Sequence, residues 1–391
     1  MSKRANHEGT ISKRKDNRWE IKFYDAGGIR RTAYAKTQTE ARDKLKALQG
    51  DVDNNIDISQ NKTIFTEWLK TWLETYAKPT IRLSTYGSYY TYIYKHIEPD
   101  FPKVALKDLK PEQLQKFLND KLNGGRLDRG EGGLSENTVR KIKVMIGTAL
   151  KQAINNCMIN RNIAEMVKLP KIEQKEMRVL SIDEQNALEE VALTSKDLSA
   201  FGIYLSLNTG MRLGEILGLQ WENIDLKKGI IHVRQTLNRL NAFDGLTKTI
   251  IELGPTKTQF SRRDIPLFQE CKVYLADYKR KQDEHIASLE GTYNDMNFVF
   301  ATPLGRYIEP KTFQDLFKRQ IKTANIADAN FHAMRHTFAT RSLEAGMDIL
   351  VLSKILGHAQ ASTTLNKYGH ALPDHKQTSM DKLAAYRKKT S

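Results

Sequence analysis

Two short polar stretches, 51–61 (DVDNNIDISQN) and 170–176 (PKIEQKE), cut this chain into three blocks with different apolar patterning. Both suit linkers. The 391 residues are therefore expected to form three domains, 1–57, 62–169 and 177–391, rather than one core. In the first block Glu8–Lys15, Arg18–Tyr24 and Ile29–Ala35 read as short strands, with Asp25-Ala26-Gly27-Gly28 as a hairpin turn. Thr37 and Glu40 have capping-box spacing and open a helix through Leu48.

The middle block reads as all-helical. Phe65, Trp68, Leu69, Trp72 and Leu73 recur at helical spacing, as do Ile142, Met145, Ile146, Ala149, Leu150, Ala153 and Ile154. A glycine-rich loop is expected over Gly124–Gly133, and five tyrosines crowd Thr80–Lys95. The third block is mainly helical. Ser181 begins one helix, Gly229–Leu237 and Arg262–Leu267 read as strands, and helices dominate after Pro310. The expected fold class is multidomain. A small α+β amino-terminal domain and an all-α domain precede a mainly α (α+β) domain with a small antiparallel sheet.

Composition narrows the partner. Lys and Arg number 62 against 46 Asp and Glu, a net charge of +16. That surplus favours a polyanion, with nucleic acid first. The first 50 residues hold 13 Lys and Arg but 6 Asp and Glu. A sheet interleaving Arg14, Arg18, Trp19, Lys22, Tyr24, Arg30 and Arg31 is either a DNA-groove surface or a solvated basic face. Cys157 and Cys271 are far apart and provide neither a disulfide framework nor zinc spacing. No 18-residue apolar run is present, and the basic start lacks the apolar stretch of a signal peptide. No membrane span is expected, and a cytoplasmic location is.

Four segments of the last block carry residues suited to chemistry. In 209–219 (TGMRLGEILGL), Gly210 suits a turn before a helix. Arg212 and Glu215 then lie three apart on one helical face. An arginine so near Leu213, Ile216 and Leu217 needs an anionic partner, either Glu215 or a phosphate held bidentately. In 254–258 (GPTKT), Lys257 sits between two strands, where a lysine is usually solvated and Lys248 competes for any role. In 331–340 (FHAMRHTFAT), His332 and Arg335 project together in a way that suits phosphate oxygens. His332 and His336 also have metal-pair spacing. Ala333 stands where a zinc protease needs Glu, however, and no third ligand is evident, so no metal is expected. Asp348 caps a helix that Gly357 ends, His358 follows, and Tyr368 comes ten residues later. Taken singly, Tyr368 is a packing residue and His358 a local hydrogen-bonder.

Together the segments supply what phosphoryl transfer needs: an in-line nucleophile, cations on the non-bridging oxygens and a proton for the leaving oxygen. Two arginines neutralise the phosphate without magnesium, and a tyrosine forms a covalent intermediate that stores the bond energy. No G-x-x-x-x-G-K-[ST] loop is present, so neither ATP nor any other cofactor is implied.

These residues resemble the tyrosine recombinase, or phage integrase, family. The resemblance rests on TGMRLGEILGL (209–219), PTKT (255–258), HAMRHTFAT (332–340), LGH (356–358) and TTLNKYGH (363–370), in matching order and spacing. It implies that Arg212 and Arg335 clamp the scissile phosphate and that His332 assists in phosphate contact and proton transfer. Lys257 would be the general acid for the 5′-hydroxyl, and His358 would steady the transition state. Tyr368 would attack to give a 3′-phosphotyrosyl link, with Glu215 orienting Arg212. His336 and His370 match residues usual in the family and read as structural.

By the same resemblance, 1–57 is an arm-type DNA-binding domain, 62–169 a core-binding domain and 177–391 the catalytic domain. The implied partners are double-stranded attachment sites, a homo-tetramer on synapsed DNA, an excisionase and a DNA-bending host protein. The tail 378–391 would pack on a neighbouring protomer. A type IB topoisomerase, a non-catalytic DNA-binding regulator and a metal-dependent nuclease are the competing readings.

Overall fold

Strand periodicity of two puts Ile21 and Phe23 on one face of a three-stranded antiparallel meander. Its strands are β1 (Thr10–Lys13), β2 (Trp19–Tyr24) and β3 (Arg30–Ala35), in that order across the sheet. The structure is a computed structural model. It describes residues 9–25, 27–53, 56–57, 62–127, 130–171, 177–243, 248–255, 261–368, 380–381 and 387. The turn between β2 and β3 is held by the Asp25 carboxylate, which accepts from the N–H groups of Gly27 and Ile29 at 3.1 and 2.8 Å.

Thr37 caps α1 (Gln38–Asp53), accepting from Glu40 N–H at 3.2 Å. Ala41 and Leu48 seat this helix on the apolar face of the sheet. The helix does not stop at Leu48 as expected. Val52 packs onto the same cluster, so residues 51–53 are helix rather than linker. Just beyond, Ile56 is buried and Asp57 N–H donates to the Cys157 carbonyl at 2.7 Å. Residues 54–55, 58–61 and 172–176 of the two polar stretches lie outside the described residues.

The chain divides into two compact units, Met1–Gln174 and Lys175–Ser391. Besides the meander, the first unit holds α2 (Phe65–Trp72), α3 (Leu83–Thr91), α4 (Pro111–Gly124) and α5 (Glu136–Asn155). Helices α2 and α3 each run on into a π-helical turn, Leu73–Ala77 and Tyr92–Ile97. The apolar stripe of α2 meets that of α5, and Trp68 Nε1 donates to the Ala149 carbonyl at 3.0 Å. Each fully buried Leu, Ile or Phe here contributes roughly 1.5–3 kcal/mol. Of the tyrosine cluster, Tyr86 is buried and donates to Glu74 at 2.5 Å, while Tyr89, Tyr90, Tyr92 and Tyr94 pack around the helical core.

In the second unit Ser181 caps α6 (Ile182–Thr194) through a full capping box with Glu184. Next come α7 (Phe201–Thr209), α8 (Leu213–Leu217), β4 (Ile224–Asp225), β5 (Ile230–Val233) and β6 (Gln235–Asn241). They are followed by β7 (Thr249–Pro255), β8 (Arg263–Pro266), α9 (Gln269–Ser288) and α10 (Pro310–Thr323). Finally come α11 (His332–Glu344), α12 (Ile349–Leu356) and α13 (Ala361–Tyr368). The strand expected over Gly229–Leu237 is two strands in different sheets. β5 pairs with β4 and β8, and β6 pairs with β7 as a separate hairpin. The break falls at Arg234, whose guanidinium donates to the Arg263 carbonyl and to Asp264 and so pins the point of departure from β8. Among the described residues, no helix is long and apolar enough to cross a membrane.

Candidate active site

The site begins where α7 ends. Gly210 adopts φ +65°, and a Cβ there would stand 2.6 Å from the Phe338 ring and 2.9 Å from Leu356. Only glycine meets both demands. The turn carries Arg212 to the position just before α8. Arg212 is thus the residue preceding the helix and not, as expected, on its face. Its N–H donates to Glu215 Oε2 at 2.9 Å and its Nη1 to Oε1 at 2.8 Å. Gly214 lets α8 press against β6, since a Cβ there would meet Thr236 Oγ1 at 2.4 Å.

The bland partner, Glu215, does contact Arg212, but Glu215 is already shared. Arg263 donates to both of its oxygens, Nη1 to Oε1 at 3.0 Å and Nη2 to Oε2 at 2.8 Å. Both residues are buried, Arg263 at 7% exposure and Glu215 at 4%. Burial raises the Glu215 carboxyl, but Arg263 and then Arg212 outweigh it and hold the group down at about 2. Arg263 also donates from Nε to the Ile355 carbonyl at 2.5 Å, tying α8 to the end of α12. Sequence reading missed this residue. Its signal was an arginine in the inward register of a strand, two positions before buried Ile265.

Arg335 is the deepest cation, at 2% exposure. Nη1 donates to the Gly210 carbonyl at 2.8 Å, and Nη2 to the Leu356 carbonyl at 2.6 Å. Nη2 also lies 2.9 Å from His358 Nε2. Among the described residues no carboxylate forms an ion pair with it. Burial and then the charge of Arg212 push Arg335 down to about 9, still above neutrality, so it stays cationic. Asp348 caps α12 and Gly357 ends it at φ +68°, which delivers His358 to Arg335. The other ring nitrogen, Nδ1, meets Thr364 Oγ1 at 2.7 Å. Burial, Arg335 and Arg212 push His358 down to about 3, so it is neutral and its Nε2 accepts from Arg335.

Tyr368 ends α13 and is 1% exposed, packed with Ala339, Leu343, Leu352 and Leu356. Its hydroxyl lies 2.6 Å from Nδ1 of His336, the histidine read as structural. Burial raises the phenol, against the opposing pull of Arg335 and Arg212. His332 stands edge-on to His336 with centroids 4.5 Å apart, and loss of solvent followed by the Arg335 charge disfavours its protonated form. Lys257 and His370 lie outside the described residues, as does most of the tail 378–391. β7 ends at Pro255 and β8 begins at Arg263, so strands flank the Lys257 segment as expected.

Arg212 and Arg263 therefore share one carboxylate, and among the described residues Arg335 has none in ion-pair contact. Such a surplus of guanidinium over carboxylate suits an anionic ligand. The Arg263–Glu215 pair also has a stability consequence. Arg263→Met should lower the unfolding free energy by about 3 kcal/mol at pH 7, because the buried carboxylate loses its two-bond partner and keeps only Arg212. Glu215 is depressed in the fold, so its stabilisation is present above the ordinary carboxylate range and fades as pH falls towards about 2. Urea denaturation should show the gap between wild type and variant closing below roughly pH 4. A constant gap would refute the pairing as its source.

The outer face of the meander carries a second set of candidates. Lys22 and Tyr24 point outward with their cross-strand neighbours Thr32 and Arg30. The Tyr34 ring lies on the same face, with the guanidinium groups of Arg14 and Arg18 each 5.3 Å from its centre. Arg14, Arg18 and Lys22 pair with Asp16 and Glu20, of which Asp16 is exposed and Glu20 partly buried. Trp19 faces the other way and packs on the core. Arg31 is held by Asp25 at 2.8 Å.

Comparison with known proteins bears on family and fold. The model of the phage integrase family matches residues 178–375, and that of the phage integrase N-terminal SAM-like domain matches 64–122. A tyrosine recombinase XerC-like protein of Caldanaerobacter subterraneus subsp. tengcongensis is 27% identical over 91% of this chain and 91% of its own. The ICEBs1 integrase of Bacillus subtilis is 25% identical over 74% of this chain and 75% of its own. Among solved structures, a Tn1549 transposon integrase in complex with a circular intermediate DNA superposes with a TM-score of 0.64. It is 21% identical and covers 82% of this chain and 99% of its own. A lambda integrase tetramer bound to a Holliday junction gives 0.53 at 18% identity, over 90% and 96%.

Proposed function

Because the chain belongs to the phage integrase family, we propose that it cleaves and rejoins double-stranded DNA at specific sites through Tyr368. The observation that carries this reading is Arg335. It is a buried cation with no carboxylate in ion-pair contact among the described residues, set beside Arg212 and within electrostatic reach of the tyrosine. A phosphodiester supplies the missing charge.

Tyr368 Oη attacks the scissile phosphorus while the bond to the 5′-oxygen breaks, and Lys257 gives that oxygen its proton. The product is a 3′-phosphotyrosyl link and a free 5′-hydroxyl. Arg212 and Arg335 hold the non-bridging oxygens, and Glu215 holds Arg212. His332 and His358 contact the phosphate. Attack by the 5′-hydroxyl of a partner strand reverses the step and makes a recombinant strand. Two such exchanges pass through a Holliday junction, with four protomers on two sites. This chemistry serves integration and excision of a mobile element in the host cytoplasm, with an excisionase and a DNA-bending protein setting direction.

A suicide substrate with a nick beside the scissile phosphate tests the reading directly. With attachment-site DNA, chelator present and ATP absent, a protein–DNA adduct should appear on a denaturing gel. Tight, site-specific binding without any adduct would replace the recombinase by a non-catalytic regulator.

Domain roles follow the three blocks: 1–57 on arm sites, 62–169 and 177–391 on the core site. The outer face of the meander, with Arg14, Arg18, Lys22, Tyr24 and Arg30, meets the arm DNA, while Trp19 and Arg31 brace the sheet. Removing 1–53, which spares the buried Ile56 and the Asp57 contact, should leave core-site cleavage intact and abolish integration in a plasmid assay. Full integration without it would refute the arm-site role.

A further inference from the structure

We propose that His336 is the general base that takes the proton from Tyr368, an inference that rests on the recombinase reading above. Tyr368 attacks only as its hydroxyl proton departs, and the hydroxyl is shut away from bulk water with the residue 1% exposed. The group that meets it is His336 Nδ1, at 2.6 Å, on a ring that is itself buried. Burial keeps the phenol protonated and able to donate. Burial, His332, Lys367 and Arg335 keep the imidazole neutral, with one ring nitrogen free to accept. The base role requires the tautomer with the ring proton on Nε2, in which Oη–H donates to Nδ1.

The same arrangement gives DNA a part in activating the nucleophile. The positive charges of Arg335 and Lys367 oppose a proton on His336. A phosphodiester seated on Arg212 and Arg335 cancels part of that field and raises the basicity of the ring. The step balances. The Oη–P bond forms as the P–O5′ bond breaks, the tyrosine proton moves to Nδ1, and the leaving oxygen receives a proton from Lys257. The imidazolium keeps its proton while the phosphotyrosyl link lasts. It returns that proton to Oη when a 5′-hydroxyl rejoins the strand. His336 thus touches the reacting oxygen and is a catalytic residue, whereas His332 contacts the phosphate.

The test uses full-length protein and two suicide substrates, one ordinary and one with sulfur in place of the bridging 5′-oxygen. A thiolate leaves without a proton, so the sulfur substrate removes the need for an acid and leaves the need for a base. His336→Asn retains an acceptor but cannot take the proton. It should bind DNA as wild type does and cleave about 10²–10³-fold more slowly on both substrates. Lys257→Ala should be slow on the ordinary substrate and restored on the sulfur one. His336→Asn at the wild-type rate, or restored by sulfur, would overturn the assignment.

A second readout needs no variant at this position. Imidazole ¹⁵N spectra of wild type should show His336 protonated on Nε2 alone, with its Nδ1 signal moving in Tyr368→Phe. A proton on Nδ1 would overturn the assignment too. If wild type forms no adduct on either substrate, the recombinase reading itself falls, an outcome distinct from failure at His336 alone.

Discussion

Tyr368→Phe should bind attachment-site DNA with wild-type affinity and form no covalent adduct. The substitution keeps the ring, which packs against Ala339, Leu343, Leu352 and Leu356. It removes one atom, the oxygen proposed to attack phosphorus. Losing a nucleophile from a set that acts as a unit costs about 10⁶-fold in turnover, which on a denaturing gel is total loss. The fold should pay a smaller, separate cost. His336 Nδ1 loses its partner at 2.6 Å and becomes a buried acceptor without a donor, worth about 1–3 kcal/mol. Tm should therefore fall by several degrees without loss of DNA binding. Binding curves, melting curves and the adduct gel together separate nucleophile from packing residue. An adduct of normal yield in this variant would move the nucleophile elsewhere and dissolve the assignment of Arg335 as well.

Much of this site is local and therefore readable in the chain. Gly210 and Gly357 both stop helices at positive φ, and each stop places a functional group just beyond it, Arg212 in one case and His358 in the other. The Ser181 and Asp348 caps follow from side-chain chemistry within three residues. The Arg263–Glu215 pair, 48 residues apart, depends on β8 crossing beside α8, and no periodicity reports that. The break at Arg234 was hidden because β5 and β6 have the same apolar alternation and differ only in which strand they pair with. Helix α1 overran its expected end because the polar stretch 51–61 reads as a linker, while Val52 packs onto the apolar cluster and keeps 51–53 helical. His336 was legible as a histidine four residues from His332, but its partner lies 32 residues on, across a packing interface. The resemblance to a family gathered Arg212, Arg335, His358 and Tyr368 into one site before any geometry did, and the fold then added the charges that explain why they belong together.

Arg335→Met should separate catalysis from stability more sharply than any other change. Arg335 is a buried cation with no ion-paired carboxylate among the described residues, crowded by the charge of Arg212. An arrangement of that kind weakens a fold, and replacing such a charge by an apolar side chain of similar volume is often neutral or stabilising by about 1–4 kcal/mol. Two carbonyl acceptors, Gly210 and Leu356, lose their donor in exchange. The two effects oppose each other, so the melting temperature should stay close to that of wild type. Cleavage should not. In the proposed mechanism the guanidinium meets charge that builds on the phosphate oxygens during attack, and losing one such donor costs roughly 10²–10³-fold, about 2.7–4 kcal/mol of transition-state stabilisation. Ground-state DNA affinity should change far less, because the many other Lys and Arg contacts carry it. Single-turnover rates on the suicide substrate, set beside melting curves, decide the matter. A slow but stable variant makes Arg335 a phosphate ligand whose burial is a cost accepted for catalysis. A variant that cleaves normally but melts early makes it a brace between Gly210 and Leu356, and the phosphate seat would then rest on Arg212 alone.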